Sequence, residues 1–297
     1  MKGRRVCLFA QFDPRMLPTG TGRILPSTLH YLRAIRDCEF VIHIALSGMT
    51  RLHDEDAALF AALGIIAHPR RNGGHDFGAW QSLMEKGCVD AADLVLLAND
   101  SVFGPLAPLA PIIGAMQERP VDVWGMVESR ELAWHLQSWF LCLSADALAS
   151  PAIRRVMRQP FHSMQRDEIV LHGELGLGAA IRAEGLRWDA RWRQPTRRLR
   201  RLVPGNPMHL DFLSVVRTGR VPFLKADLLR DNPARIGWVG QWRKLLNNYP
   251  DFPPALIEQA LALRPGLPHA RQTAVMRGLY AILSCDQPEA ALSALRR

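Results

Sequence analysis

Short apolar runs alternate with amphipathic helical stretches through the first half of the chain, and this alternation constrains the fold more than any other feature. Arg5-Val-Cys-Leu-Phe-Ala10, Phe40-Val-Ile-His-Ile-Ala-Leu46, Ile65 to His68 and Asp93-Leu-Val-Leu-Leu-Ala98 read as buried strands. Between them, Ser27 to Arg36 and Asp54 to Leu63 have helical spacing, the second closed by Gly64. The polar glycine-rich loop 70–78 is expected to open into a helix from Ala79 to Lys86, and Leu109 to Gln117 forms another helix. Val121 to Val127 is a further strand, and Gln137 to Leu143 an antiparallel addition. Strands separated by helices of roughly 10–15 residues predict βαβ units and a mostly parallel α/β sheet.

Composition supports one sizeable folded body. Of 297 residues, 48% are hydrophobic and eight are Trp, which excludes a mainly disordered chain. The division expected is a main domain over residues 1–235 and a small helical extension over 236–297, where Pro250, Pro253, Pro254, Pro265, Pro268 and Pro288 separate helical segments. The five cysteines are scattered without a C-x-x-C pair, so neither a disulfide framework nor a zinc site is expected from their spacing. Cys7 and Cys142 read as core thiols. Val6 to Ala10 is too short for a signal peptide, and Val102 to Gln117, with three prolines, falls short of a membrane span. A soluble protein of a reducing compartment is the expectation.

The formal net charge of +9 is unevenly placed. Residues 1–150 carry 13 Lys/Arg against 16 Asp/Glu, whereas residues 151–297 carry 24 against 12. Arg187 to Arg201 holds seven arginines and one acid, with Trp188 and Trp192 interleaved. On charge alone this stretch fits a nucleic-acid-binding module, an anionic membrane surface or a solvated face.

Ligands of open α/β sheets bind beyond the carboxyl ends of the strands, and two polar signals fall there. Asn99-Asp100-Ser101 ends the strand at 93–98; Asp100 suits a Mg²⁺ or Mn²⁺ ion shared with a diphosphate, and the three residues equally suit a turn bonded to its own backbone. Asn72-Gly73-Gly74, ahead of a helix, can lay backbone N–H groups against an anion. P-loop, G-x-G-x-x-G, G-x-S-x-G and H-E-x-x-H patterns are absent, which removes the commonest kinase, dehydrogenase, serine-hydrolase and zincin readings.

Six ordered segments resemble the rhamnan synthesis protein F family of glycosyltransferases. They are Arg71 to Trp80 (RNGGHDFGAW), Leu97 to Pro105 (LANDSVFGP), Val123 to Ser129, His135 to Phe140, Gly173 to Leu177, and Pro222 to Lys225 with Asp231 to Pro233. The resemblance covers roughly residues 65–235. It implies a GT-A-like, Rossmann-type sheet flanked by helices, and a rhamnosyltransferase-like enzyme of the inverting type. The donor implied is a nucleotide-diphosphate sugar, dTDP-L-rhamnose above others, and the acceptor a growing cell-surface polysaccharide or lipid-linked saccharide.

The resemblance places Asp100 where such folds carry an Asp-x-Asp-like metal motif, with one carboxylate in place of two. Donor contacts are then expected from Asn72, Gly74, Asp76, Asn99, Asp100, Ser101, Lys225 and Arg230, the last two meeting the diphosphate or pairing with Asp227 or Asp231. Glu174, read as heading a late helix, is the first candidate for the base that deprotonates the acceptor, and Glu128 at a strand end is the second. His135 and Gln137 are candidate acceptor contacts. With the motifs in place, the arginines of the second half are expected to face an anionic leaflet or lipid-pyrophosphate acceptor from the cytoplasmic side, and nucleic acid is not an expected partner. The alternatives are a non-catalytic sugar-binding domain of the same fold and the arginine-rich nucleic-acid module.

Overall fold

The structure, a computed structural model, describes residues 3–12, 20–194, 205–264 and 266. Strands β1 (Arg5–Phe12), β2 (Val41–Ser47), β3 (Ile66–Arg70) and β4 (Leu94–Asn99) are connected through helices α1 (Pro26–Arg36), α2 (Asp54–Leu63) and α3 (His75–Glu85). β1 pairs in parallel with both β2 and β4, and β2 with β3, giving the order β3-β2-β1-β4. Helix α4 (Ala110–Gln117) leads to β5 (Val123–Ser129), and β6 (Phe140–Ser144) lies antiparallel between β4 and β5. The outer strand beside β5 is β7 (Trp188–Trp192). The mostly parallel α/β sheet expected from the alternation is therefore present.

A parallel sheet covered on both faces needs strands that are apolar at every position. β1 and β4 obey this: Val6, Cys7, Leu8 and Phe9, like Leu96, Leu97 and Ala98, have no exposed surface. Cys142 on β6 is likewise sealed, and burial pushes the Cys7 and Cys142 thiols well above their ordinary pKa. The antiparallel addition is shorter than Gln137 to Leu143; His135–Leu136 and Phe140–Ser144 are separate strands.

Two compact units form. The first comprises the described parts of Met1–Asp100, Leu109–Met126 and His135–Ala190, and the second those of Ser101–Pro108, Val127–Trp134 and Arg191–Arg297. The second has its own core, built by Phe103 and Leu106 with Phe212, Trp238, Trp242 and Ile257. Tyr249, also in that core, donates its hydroxyl to the Val216 carbonyl at 2.5 Å. Position 235 lies inside this unit. Residues 265 and 267–297, the rest of the stretch read as a helical extension, lie outside the described residues.

Two helix starts differ from the sequence expectation. α3 begins at His75, four residues ahead of Ala79, so the glycine-rich loop is only Arg71 to Gly74. Gly78 reads as a breaker but is a packing position inside the helix, since a Cβ there would stand 2.6 Å from the Gly73 carbonyl oxygen. Glu174 does not head a helix. It sits inside the π-helical turn Val170–Leu175, which joins the helical turn Arg166–Ile169 to helix α5 (Gly176–Ala183).

Candidate functional site

The order β3-β2-β1-β4 reverses between β1 and β4, and the crevice beyond their carboxyl ends is where such sheets bind ligands. Both polar signals of the first unit meet there. Asn99, the last residue of β4 and 2% exposed, donates Nδ2 to Asp76 Oδ2 at 2.6 Å. Asp76 lies in the first turn of α3, where the helix dipole favours a carboxylate. The backbone N–H of the half-buried Asp100 donates to the Ala10 carbonyl of β1 at 3.2 Å.

The loop ahead of α3 is held from below. Arg70 donates Nη1 to Ser47 Oγ at 2.7 Å and Nη2 to the Gly73 carbonyl at 2.9 Å. Gly74 takes φ +71°, and a Cβ there would lie 2.9 Å from Gly78 Cα and from the Phe161 carbonyl carbon, so only glycine fits. Asn72 is exposed, and Gly74 is buried. Phe77 and Trp80 pack inward, with ring centroids 5.1 Å apart and Trp80 Nε1 donating to the Ala98 carbonyl at 3.1 Å.

Gln11 adds a polar residue at the same edge of the sheet. It stands near the end of β1, is 1% exposed, and neither side-chain amide atom has a hydrogen-bond partner among the described residues. The signal was available: a lone amide closing a strand of apolar residues.

A second cluster of the first unit centres on Glu174. Its Oε1 accepts from the Ser138 backbone N–H at 2.7 Å and from the Ser138 hydroxyl at 2.9 Å, and its Oε2 lies 3.9 Å from His135 Nε2. His135 and Gln137 are both buried, and Gln137 Oε1 accepts from Trp139 Nε1 at 2.7 Å. The helix carrying Glu174 comes close because residue 173 is glycine: a Cβ there would meet the Phe77 ring at 2.9–3.0 Å. π-turns inside helices recur at functional sites. Ser138 lies within the resembling segment His135 to Phe140, but its bond to Glu174, across 36 residues, has no sequence signature.

In the second unit, Glu128 is 2% exposed and accepts from Arg130 Nε and Nη2, each at 2.9 Å. The Arg130 N–H donates to Gln194 Oε1 at 2.7 Å, which anchors the same turn. Lys225 donates Nζ to Ser101 Oγ at 3.1 Å. This contact follows from the antiparallel pairing of Leu224–Lys225 with Val102–Phe103, which joins two of the resembling segments. Arg230 is paired with its neighbour, donating Nε and Nη2 to Asp231 Oδ2 at 2.8 and 2.6 Å. Asn232 closes the following turn through Ile236, accepting from its N–H at 2.7 Å and donating to its carbonyl at 3.0 Å.

Mg²⁺ and Mn²⁺ take oxygen ligands and share them with phosphate. Asp100 fits such an ion as a single carboxylate, so the remaining positions would fall to diphosphate and water oxygens. The arginine-rich stretch is less uniform than its charge implies. Trp192 is buried in β7, Arg187 forks onto Asp122 with Nη2 to Oδ1 at 2.8 Å, and Arg119 pairs with Asp189. Arg197, Arg198, Arg200 and Arg201 lie outside the described residues. Among the described residues no helix is long and apolar enough to cross a membrane.

Comparison with solved structures finds a CMP:2-keto-3-deoxy-manno-octonic acid synthetase complexed with CTP, at 12% identity and TM-score 0.37, covering 64% of this chain and 90% of that one. A cytidylyltransferase from Leptospira borgpetersenii serovar Hardjo-bovis (strain JB197) matches at 7% identity and TM-score 0.36, covering 66% and 77%. No curated protein matches the chain. The family model described as rhamnan synthesis protein F matches residues 49–263, and that span contains Asp76, Asn99, Asp100, Glu128, Glu174 and Lys225. The chain therefore belongs to the rhamnan synthesis protein F family, and its role lies in polysaccharide synthesis.

Proposed function

We propose that the protein is an inverting glycosyltransferase. It moves a sugar, rhamnose or another deoxyhexose, from a nucleotide-diphosphate donor such as dTDP-L-rhamnose to a growing cell-surface polysaccharide or lipid-linked saccharide. The observation that carries this reading is the Asn99–Asp76 hydrogen bond, which draws the loop before α3 and the end of β4 to one place in the crevice beside β1. A GT-A-like enzyme needs its donor diphosphate there, with backbone N–H groups and the helix dipole of α3 facing the negative charge. Asn72, Gly74, Asp76, Asn99 and Asp100 are the donor contacts of the first unit. A Mg²⁺ or Mn²⁺ ion on Asp100 would neutralise part of the diphosphate charge.

Glu174 is the base. Ser138 fixes one of its oxygens with two hydrogen bonds, and the other, Oε2, takes the proton of the acceptor hydroxyl. As that oxygen bonds to the anomeric carbon, the bond from carbon to the diphosphate oxygen breaks and the nucleoside diphosphate leaves. His135 and the amide nitrogen of Gln137 position the acceptor. Glu128, forked by Arg130, is the alternative base. The cytoplasmic face of an anionic membrane is the proposed workplace.

The test is release of nucleoside diphosphate from a panel of nucleotide sugars in the presence of a saccharide acceptor. Wild type turns over at least one donor. Glu174→Gln loses about 10²–10⁴-fold in rate while keeping donor affinity. Turnover in Glu174→Gln equal to wild type would remove Glu174 from the mechanism.

A further inference from the structure

Beside β2 and β3, three side chains converge that the proposed reaction does not use. In parallel strands, residues two apart share a face, and the β2–β3 register pairs His43 with Ile66 and Ala45 with His68. His43 and His68 thus project to one side of the sheet, and Cys88, just past the end of α3, descends onto the same side. His43 Nδ1 lies 3.1 Å from His68 Nε2, and Cys88 Sγ lies 3.8 Å from that same nitrogen. One ligand atom from each residue falls within 4.8 Å of the other two.

These distances are compatible with ligation of one ion by all three side chains. Zinc binds imidazole nitrogen at about 2.0–2.1 Å and thiolate sulfur at about 2.3 Å. Tetrahedral neighbours are then about 3.3 Å apart for two nitrogens and about 3.6 Å for nitrogen and sulfur. The same separations are within hydrogen-bond reach, so His68 Nε2 is shared by His43 and Cys88 when no ion is bound. His43 is 8% exposed, with no partner for its Nε2 among the described residues, and Cys88 is 6% exposed. Half-buried His68 lies on the edge strand β3, which gives an ion a way in.

We propose that His43, His68 and Cys88 form a binding site for a zinc-type divalent cation, which ties the edge strand β3 to β2 and to the turn after α3. Three protein ligands of imidazole and thiolate type select zinc over Mg²⁺ or Mn²⁺, and a water completes the tetrahedron. The site is separate from the oxygen-ligand ion assigned to Asp100.

The experiment uses the reduced full-length chain titrated with Co²⁺ as a spectroscopic stand-in for zinc, followed by competition with Zn²⁺. Wild type takes up about one equivalent with tetrahedral visible bands and a near-ultraviolet thiolate-to-cobalt band, and Zn²⁺ bleaches both. Cys88→Ala loses the thiolate band with an unchanged far-ultraviolet circular dichroism spectrum, and His68→Ala weakens binding at least tenfold. Cys285→Ala, at a thiol outside the described residues, leaves the spectrum as in wild type. Zn²⁺ raises the melting midpoint of wild type and not of Cys88→Ala. The proposal is overturned if reduced wild type shows no thiolate–cobalt band, if Cys88→Ala keeps that band, or if the band depends on Cys285.

Discussion

Glu174 receives two hydrogen bonds from a single residue, Ser138, one from its backbone N–H and one from its hydroxyl. The backbone bond does not depend on the side chain at 138, so Ser138→Ala isolates the hydroxyl. A hydrogen bond to a charged group contributes about 1.5–3 kcal/mol. Ser138→Ala is expected to slow turnover by roughly tenfold with donor affinity unchanged, measured by initial rates and donor titration. Loss of donor binding in Ser138→Ala would place this cluster in donor recognition instead.

Asn99 and Asp76 form the corresponding pair at the crevice. Asn99→Asp sets a second carboxylate against Asp76 where a donor stood. Donor affinity should fall by about tenfold or more and recover partly in the Asn99→Asp, Asp76→Asn double variant. Additive losses in the two single variants would show that the pair does not act as a unit.

Gly173 is required by the Phe77 ring, which is held between Trp80 and Phe161 with centroids 5.1 Å from each. Ala is ordinarily the better helix residue by about 1 kcal/mol. Here its Cβ would press on a ring that cannot retreat, and overpacking costs about 1–3 kcal/mol. Gly173→Ala should therefore lower stability, and adding Phe77→Leu should restore part of the loss, read from urea unfolding. A stabilised Gly173→Ala would contradict this packing.

These positions show how far the sequence was legible. β1 and β4 announce themselves because a strand covered on both faces is apolar throughout, and Asp100 is visible because it follows such a run. The start of α3 was misread because Gly78 has the composition of a loop and the role of a close contact. Glu174 lies inside a helical run that begins at Arg166, and an acidic residue ahead of apolar ones reads the same inside a helix as at its start. Ser138 with Glu174, and His43 with His68 and Cys88, are brought together only by strand register and helix packing, so no local pattern marks them.

Asp122 and Arg187 supply a pH test. Hydrogen bonds from the Arg187 side chain, with its backbone N–H adding, hold the Asp122 carboxyl below its ordinary value of 3.8. The folded state then binds a proton less readily than the unfolded chain, so the stabilisation is complete above about pH 5 and is lost as pH falls through the lowered value. The stability difference between wild type and Asp122→Asn should shrink on going from pH 5 to about pH 3 in matched urea titrations. A difference that is constant or growing at low pH would contradict the pairing.

Trp242 tests the second unit. It is 4% exposed in the core that Phe103 and Phe212 share. Trp242→Ala should cost about 3–5 kcal/mol, and a chain ending at Arg235 should bind a hydrophobic dye and lose cooperative unfolding. A truncated chain with the native melting profile would show residues 236–264 to be an independent appendage.

The central claim is that a nucleotide sugar binds beyond β1 and β4 at Asp100. Calorimetric titration of wild type and Asp100→Ala with dTDP-L-rhamnose, other nucleotide sugars and the free diphosphates, each with and without Mn²⁺, tests it most directly. Saturable binding by wild type, lost in a folded Asp100→Ala, is the predicted result. No binding of any nucleotide sugar or diphosphate to wild type under either condition would contradict it.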